Sequence, residues 1–391
     1  MRPRQAGKDG EAFEADLIRQ ESAGLLRVER TVEKPDARRI RMPDGQSGID
    51  FSSNSYLGLH QRVRARAVRR FLSAGHLTSA GSSRMVSGTH PPHRRLERSL
   101  ADFLRAEDAA VFGSGFLCCF GVIDTLAGSR DRIFFDERIH ASLRAGIDHT
   151  RAPSFSYRHL DMDDLRRKLA ARDIRGRRFI VTDGLYSMGG DFAPLDTLAE
   201  LADRHGAWLI VDDAHGIGAI GASGRGTYER FGRAPEARHI LIGTLSKTLA
   251  SYGGFVAASS AVIRYIKARS KAFIYTTAAP PFQILAAEEA LAIVRSRTGA
   301  ELREKLQSNI RLLVRLLKRR PVSQIVPVPI AGGSSAVLEA AQSLWSAGCF
   351  APGMRYPTVP RGQEMIRISL SAAHRPSDIR RLAAALGHSR P

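Results

Sequence analysis

The stretch that decides the fold reads Ile240-Leu241-Ile242-Gly243-Thr244-Leu245-Ser246-Lys247. A short apolar run that ends in Gly-Thr is typical of a buried strand that continues into a loop. Because the lysine follows this strand closely, we expect its amine to be buried. Burial lowers the pKa of a lysine, and a neutral amine can form an imine with an aldehyde cofactor. A lysine beside serine and threonine could instead bind phosphate or close a loop.

Apolar strands alternate with helices from about residue 108 onward. This alternation predicts an α/β fold in which helices cover both faces of a mostly parallel sheet. The predicted strands are 109–112, 132–135, 179–182, 207–211, 240–242 and 254–257, and the predicted helices are 115–127, 161–171, 194–205 and 260–268. After Pro280-Pro281 the pattern predicts one long helix from Ile284 to about Leu317, followed by a smaller α+β region.

The pattern also suggests how the chain is divided. Residues 1–48 are polar and charged and predict an N-terminal arm. We expect a large domain over residues 49–283 and a small C-terminal domain over residues 284–391.

Several predicted strands end in polar or glycine-rich loops. These loops are Gly113-Ser114-Gly115-Phe116, the segment 183–191, Asp212-Asp213-Ala214-His215 and the lysine loop. Glycines at a helix start expose N–H groups that can bind phosphate, although a tight turn would need them too. An aspartate and a histidine three residues apart could face one pocket, but they make a poor metal site without further ligands. Open α/β sheets bind ligands at the carboxyl ends of their strands, so we expect these loops to form one site.

Composition bounds the class of protein. The 391 residues carry a formal net charge of +20, which invites a nucleic-acid hypothesis. Only eight of the 59 basic residues are lysine, and the arginines are scattered without a zinc-finger or RNP signature, so we expect no nucleic-acid partner. A basic surface would suit an acidic partner such as coenzyme A or an acyl carrier protein.

The sequence also bears on the compartment. Three cysteines give neither a disulfide framework nor metal-ligand spacing, which suits the reducing cytoplasm. The N-terminal residues lack the apolar core of a signal peptide, and no run approaches eighteen apolar residues, so we expect no membrane span.

Taken together, the motifs resemble those of the α-oxoamine synthase family of pyridoxal-phosphate enzymes, from about Phe51 to His374. The family includes 8-amino-7-oxononanoate synthase, 2-amino-3-ketobutyrate ligase, 5-aminolevulinate synthase and serine palmitoyltransferase. The matching segments are 53–58, 88–90, 115–116, 140–142, 183–191, 212–216, 224–226, 243–247 and 367–374. The resemblance implies the type I fold of pyridoxal-phosphate transferases, similar to aspartate aminotransferase.

The resemblance also implies roles for individual residues. Lys247 would form the imine with pyridoxal 5′-phosphate and later act as acid and base, and Asp212 would keep the ring nitrogen protonated. His215 would bond the phenolic oxygen, and His140 would stack on the ring. Further positions implied for the cofactor are Ser187 near the phenolate and Gly115, Phe116, Thr244 and Ser246 near the phosphate. Thr276 and Thr277 would reach the phosphate of a partner subunit, which implies a homodimer with shared active sites.

The substrate side is implied in the same way. Arg367 matches the arginine that binds the amino-acid carboxylate, for which a bidentate guanidinium is suited, and Asn54 lies near the same substrate. The implied reaction joins a small amino acid to an acyl thioester of coenzyme A or an acyl carrier protein, with release of carbon dioxide and thiol. The product would be an α-aminoketone, with secondary metabolism as a candidate pathway. Transamination or retro-aldol cleavage on the same fold is the alternative.

The chain departs from the family pattern at several positions. Cys119 stands where relatives commonly carry asparagine, and Ser79-Ala80-Gly81-Ser82-Ser83 replaces a glycine-rich run. Neither change removes a catalytic group, but both leave the choice of substrate open.

Overall fold

The computed structural model describes residues 6–75, 78–170, 175–318 and 323–388. Its helices are α1 (Ala6–Ser22), α2 (His60–Ser73), α3 (Pro91–Leu104), α4 (Gly115–Leu126), α5 (Ala141–His149), α6 (Met162–Leu169), α7 (Leu195–Arg204), α8 (Thr227–Arg230), α9 (Ser260–Arg269), α10 (Lys271–Ile274), α11 (Pro281–Arg295), α12 (Arg297–Leu317), α13 (Gly333–Ser346) and α14 (Pro376–His388). Its strands are β1 (Arg39–Arg41), β2 (Ser47–Asp50), β3 (Asp108–Phe112), β4 (Arg132–Asp136), β5 (Ser154–Tyr157), β6 (Arg178–Asp183), β7 (Trp208–Asp212), β8 (His239–Thr244), β9 (Gly254–Ala258), β10 (Ile325–Pro329), β11 (Cys349–Phe350), β12 (Gly353–Met354) and β13 (Met365–Ser369).

A seven-stranded sheet forms the centre of the molecule, in the order β3-β9-β8-β7-β6-β4-β5. Strands β8, β7, β6, β4 and β5 run parallel, whereas β9 is antiparallel to both of its neighbours. The strands are nearly continuous apolar runs because buried cores lie on both faces of the sheet. The predicted mostly parallel sheet is therefore confirmed.

Two small sheets flank the C-terminal part of the chain. Strands β10, β13 and β12 form an antiparallel sheet against which α13 packs. Strands β1 and β2 pair with each other, and β2 also pairs in parallel with β11. The end of the predicted arm is thus joined to the C-terminal region through the pairing of β2 with β11. The domain limits at residues 48 and 283 remain a prediction.

The predicted long helix from Ile284 to Leu317 is wrong in one respect, because it is two helices. Helix α11 ends at Arg295 and α12 begins at Arg297, with Ser296 in an extended conformation between them. The Ser296 hydroxyl donates to the Ile293 carbonyl at 2.7 Å, which satisfies one of the last carbonyls of α11. Apolar periodicity continues across the break, so periodicity alone could not reveal it.

The loop between β8 and β9 carries Lys247 and reverses the direction of the chain. The Leu245 N–H donates to the Gly253 carbonyl at 2.9 Å, which closes the loop at its base. Gly253 has a φ of +133°, and a Cβ there would lie 3.0 Å from both the Leu245 side chain and the Phe112 carbonyl. Only glycine adopts this conformation readily, so the turn at the end of the lysine loop requires glycine at position 253.

Candidate active site

Lys247 lies at the floor of a cavity of about 250 Å³ at the carboxyl edge of the sheet. We call it the lysine cavity. Its lining comprises Ser114, Gly115, Phe116, Cys119, His140, Ser142, Asp183, Asp212, Ala214, His215, Ile242, Gly243, Thr244, Ser246, Lys247 and Tyr252. Burial lowers the pKa of Lys247, although the carboxylates of Asp212 and Asp183 oppose the shift. The lowered pKa favours a neutral amine that can act as nucleophile and base.

A hydrogen-bonded chain runs from Lys247 into the core. The Lys247 Nζ lies 2.9 Å from His215 Nε2, and His215 Nδ1 lies 2.5 Å from the Tyr56 hydroxyl. Burial lowers the pKa of His215 well below its usual value, and the cations of Lys247 and Arg367 lower it further. Burial also raises the pKa of Tyr56 to about 12. The imidazole is therefore neutral and the phenol protonated, so Tyr56 orients the ring without adding charge.

Tyr56→Phe tests this orientation. The change leaves the buried Nδ1 of His215 without its phenol partner, which costs roughly 1–3 kcal/mol of stability. We expect the kcat to fall about 10-fold because His215 loses its fixed tautomer. Thermal unfolding and steady-state kinetics measure the two effects.

Tyr228→Phe is the matched control. Tyr228 is also buried, but its hydroxyl has no hydrogen-bond partner among the described residues. Removing it should leave stability and kcat close to those of the wild type. Equal losses in the two variants would contradict a special role for the Tyr56 hydroxyl.

Two aspartates line the lysine cavity. Asp212 ends β7 and is 7% exposed, and its Oδ1 accepts the Ala214 N–H at 3.0 Å. Asp183 ends the adjacent strand β6 and accepts the His140 N–H at 3.1 Å. Burial and the neighbouring charge of Asp212 raise the pKa of Asp183 well above its usual value. The raised pKa favours a protonated Asp183, and both side chains line the lysine cavity.

One part of the lysine cavity is suited to an anion. Helix α4 begins there with Ser114 as its N-cap, and Gly115 and Phe116 of its first turn line the cavity. The Thr244 and Ser246 hydroxyls lie 2.7 Å apart beside it. A Cβ at Gly115 would lie 3.3 Å from Thr244 Oγ1, so glycine keeps this space open.

His140 also lines the lysine cavity. It is the N-cap of α5, and its Nδ1 lies 2.7 Å from the Ser142 hydroxyl. Burial lowers the pKa of His140, which favours the neutral ring. A neutral imidazole held at its backbone and at Nδ1 offers a flat face to an aromatic ligand.

Arg367 anchors a second, larger cavity of about 750 Å³ that also reaches Lys247. The guanidinium is 4% exposed and donates to the Ser187 carbonyl at 2.5 Å, to Ser369 Oγ at 2.7 Å and to Asn54 Oδ1 at 3.2 Å. We call this space the arginine cavity, because Arg27, Arg138 and Arg144 line it as well. An arginine has five N–H donors, so two remain for a carboxylate.

The structure brings most of the predicted site residues together. Eight line the lysine cavity: Gly115, Phe116, His140, Asp212, His215, Thr244, Ser246 and Lys247. Asn54, Ser187 and Arg367 line the arginine cavity. Thr276 and Thr277 line neither, and Thr277 forms a β-bridge with Ser83. That these two threonines contact the phosphate bound by a partner subunit remains a prediction.

A histidine between two carboxylates supports the loop that carries Ser187. His159 lies 2.9 Å from Asp136 through Nδ1 and 2.5 Å from Asp191 through Nε2. Burial alone would lower the pKa of His159, but the hydrogen bonds and charges of the two aspartates raise it to about 9. The imidazolium therefore ties the end of β4 to the loop after β6.

This cluster predicts a pH-dependent stability. The pKa of His159 is about 9 in the folded chain, against about 6.5 when unfolded. Its stabilisation is thus fully present below pH 6.5 and is lost as the pH rises through about 9. We expect the Tm of His159→Gln to lie about 1–3 °C below that of the wild type at pH 6, and the gap to close by pH 10. His149→Gln, at an exposed position, should show no such trend, and a constant gap for His159→Gln would contradict the assignment.

Three residues that support the site, namely Tyr56, Asp183 and Gln324, received no individual role from the sequence alone. Tyr56 lies within the recognised segment 53–58, so its place in that motif was a usable signal. Asp183 ends a predicted strand and was visible as a strand-end carboxylate. Gln324, whose amide donates to the His215 carbonyl at 2.8 Å, had no sequence signal because it lies in a distant strand connection.

Comparison with known proteins gives consistent results. The profile of the family described as aminotransferase class I and II matches residues 46–386. The 8-amino-7-oxononanoate synthase of Aromatoleum aromaticum is 40% identical over 387 residues, which cover 96% of this chain and 97% of that protein. Within the described ranges, no helix is both long and apolar enough to cross a membrane.

Two solved structures share the fold. A variant of serine palmitoyltransferase from S. paucimobilis with bound PLP–myriocin aldimine superposes with a TM-score of 0.87 at 28% identity, over 99% of both chains. The 8-amino-7-oxononanoate synthase of Francisella tularensis superposes with a TM-score of 0.73 at 26% identity, over 87% of this chain and 98% of that one.

Proposed function

Because the chain belongs to the aminotransferase class I and II family, and within it to the α-oxoamine synthases, we propose that it is a pyridoxal-phosphate-dependent acyltransferase. It joins a small amino acid to an acyl thioester and releases carbon dioxide and thiol, giving an α-aminoketone. The observation that carries the proposal is the convergence of Lys247, Asp212 and Arg367 on two joined cavities.

The lysine cavity fits pyridoxal 5′-phosphate. Its donor set matches the ends of that molecule, with the buried Asp212 carboxylate for the ring nitrogen and the α4 N-terminus with Thr244 and Ser246 for the phosphate. The space kept open by Gly115 lies at the phosphate end. His140 would cover the ring face, and His215 would bond the phenolic oxygen. When bound, the cofactor supplies an electron sink that stabilises negative charge at the amino-acid Cα.

Lys247 would move the proton at that carbon. Its lowered pKa favours a neutral amine, which would accept the Cα proton of the bound amino acid. His215, 2.9 Å away and held by Tyr56, is placed to polarise the thioester carbonyl with the ring N–H. The same lysine returns a proton to the carbon after carbon dioxide has left.

Arg367 holds the amino-acid carboxylate. Its two uncommitted N–H groups form a bidentate pair with the carboxylate, while Ser187, Ser369 and Asn54 fix the guanidinium plane. The carboxylate is the group that leaves as carbon dioxide. The position of this carboxylate therefore determines whether the bond between Cα and the carboxylate carbon is aligned to break.

We propose that the acyl thioester enters through the arginine cavity. Arg27, Arg138 and Arg144 line its wall and give it a positive potential. Coenzyme A and the phosphopantetheine arm of a carrier protein both carry phosphate, so this lining suits either carrier. The relatives' name, 8-amino-7-oxononanoate synthase, favours alanine as the amino acid, because that product bears its amine beside a terminal methyl group.

The homodimer is part of the proposal. Large apolar side chains are exposed in a single chain: Met85, Val86, Phe116, Tyr252 and Tyr275. Phe116 and Tyr252 line the lysine cavity, so a second chain packed on this face would complete the site. Thr276 and Thr277 follow Tyr275 and would approach the partner's cofactor. The three free cysteines fit the cytoplasm as the compartment of the reaction.

The first experiment measures the stoichiometry of the reaction. Cofactor-loaded protein is incubated with alanine, serine or glycine and with acyl thioesters of coenzyme A or carrier protein. We expect equal amounts of carbon dioxide and thiol with one amino acid, and no product from an added keto acid. Amino transfer to a keto acid without carbon dioxide would instead establish transamination, and aldehyde release would establish retro-aldol cleavage.

A further inference from the structure

The thiol of Cys119 contacts the carboxylate that faces the ring nitrogen in the proposed complex. Cys119 lies in the first turns of α4, is 2% exposed and lines the lysine cavity. Its Sγ lies 3.2 Å from Asp212 Oδ2. This distance is short for a hydrogen bond that involves sulfur, so the two side chains are in direct polar contact.

The thiol is the donor in this contact. Burial and the negative charge of Asp212 raise the pKa of Cys119 well above its usual value, so the sulfur keeps its proton. Asp212 Oδ1 is held separately by the Ala214 N–H at 3.0 Å. The carboxylate is therefore held at both oxygens, by α4 on one side and by the loop after β7 on the other.

The choice of sulfur has an electrostatic consequence. A thiol is a weak hydrogen-bond donor, whereas an amide or a hydroxyl is a strong one. A strong donor would draw negative charge toward itself and away from the carboxylate oxygen that faces the cavity. A cysteine at this position would therefore orient Asp212 and leave its charge available.

We propose that Cys119 is a positioning residue for the cofactor, whose thiol fixes the Asp212 carboxylate while withdrawing little of its charge. The inference rests on the role proposed for Asp212. Its test therefore includes Asp212→Ala, so that failure of that role can be distinguished from failure of the inference.

The test compares Cys119→Ala and Cys119→Ser with Cys118→Ala. Cys118 is the matched control because it is equally buried and is the next residue along the helix, but it does not line the lysine cavity. Cys119→Ala should weaken binding of pyridoxal 5′-phosphate about 3–10-fold, since one weak hydrogen bond is lost. Cys119→Ser, which retains a donor, should keep the affinity within about 3-fold of the wild type. Its stronger hydrogen bond should nevertheless shift the pH at which the absorption of the bound cofactor titrates. Cys118→Ala should lower the Tm and leave cofactor affinity unchanged.

Infrared spectroscopy of the cofactor-free protein gives a readout independent of activity. The S–H stretching band that is lost in Cys119→Ala should lie at lower frequency than the band lost in Cys118→Ala, because only the Cys119 thiol donates to a carboxylate. In Asp212→Ala the Cys119 band should move to the higher position. In the loaded enzyme, the pH at which the cofactor absorption titrates should shift in Cys119→Ala but not in Cys118→Ala.

The possible results distinguish a wrong role for Asp212 from a wrong role for Cys119. If Asp212→Ala binds the cofactor as tightly as the wild type, the role of Asp212 is wrong. If Asp212→Ala binds weakly but Cys119→Ala and Cys118→Ala have equal affinities, equal titrations and coincident S–H bands, only the positioning role of Cys119 is overturned.

Discussion

Lys247→Ala should lower kcat by at least about 1,000-fold, because in the proposed mechanism this one side chain both binds the cofactor and moves the Cα proton. Alanine cannot form the imine and has no basic group. The neighbouring His215 cannot substitute for the amine, because its pKa is lowered strongly by burial and its ring is already bonded to Tyr56. Release of carbon dioxide and thiol measures the loss of turnover. The visible absorption of the bound cofactor reports the loss of the covalent link.

Lys305→Ala is the control for this prediction. Lys305 is an exposed lysine of α12 that lines neither cavity. Its removal should change neither kcat nor the spectrum. Retention of the wild-type cofactor spectrum in Lys247→Ala would show that a different group holds the cofactor, and the proposed mechanism would fail.

Arg367→Lys should raise the KM for the amino acid about 100-fold, since hydrogen bonds between charged groups contribute about 1.5–3 kcal/mol each. Lysine keeps the positive charge but loses the planar fork that binds a carboxylate in bidentate fashion. It also cannot satisfy Ser187, Ser369 and Asn54 at once, so the new ammonium is less well positioned. Initial rates over a range of amino-acid concentrations separate KM from kcat.

Arg303→Lys controls for the loss of a buried guanidinium. Arg303 is 6% exposed and donates to the Ala222 and Val294 carbonyls at 3.2 and 2.9 Å. Its replacement should lower the Tm and leave KM for the amino acid unchanged. A similar rise of KM in both variants would mean that Arg367 acts on the fold rather than on the substrate.

The site was predictable where it depends on strand ends. Lys247, Asp212 and His215 each follow a short apolar run, and parallel strands bring such positions to one edge whatever their separation in sequence. The start of α4, which is proposed to bind the phosphate, was predictable for the same reason, because glycines between a strand and a helix mark a helix N-terminus. These features are local in sequence and need only the topology to converge.

Contacts between distant segments were not predictable from periodicity. Tyr56 meets His215 across 159 positions, and Arg367 meets the Ser187 carbonyl across 180. Each contact depends on how a segment outside the large sheet packs against the loops that follow its strands, which no local pattern specifies. The break at Ser296 escaped prediction because the apolar face continues on both sides of it.

The pairing of β2 with β11 bears on how the chain folds during synthesis. Ile49 is aligned with Cys349, so the ribosome makes three hundred further residues before β2 receives this neighbour. Until then that edge of β2 exposes its backbone N–H and carbonyl groups, which invites pairing with other nascent chains. We therefore expect the two proposed domains to be inseparable in expression. A fragment that stops at residue 283 should accumulate in inclusion bodies, and co-expressing residues 284–391 should recover part of it in solution.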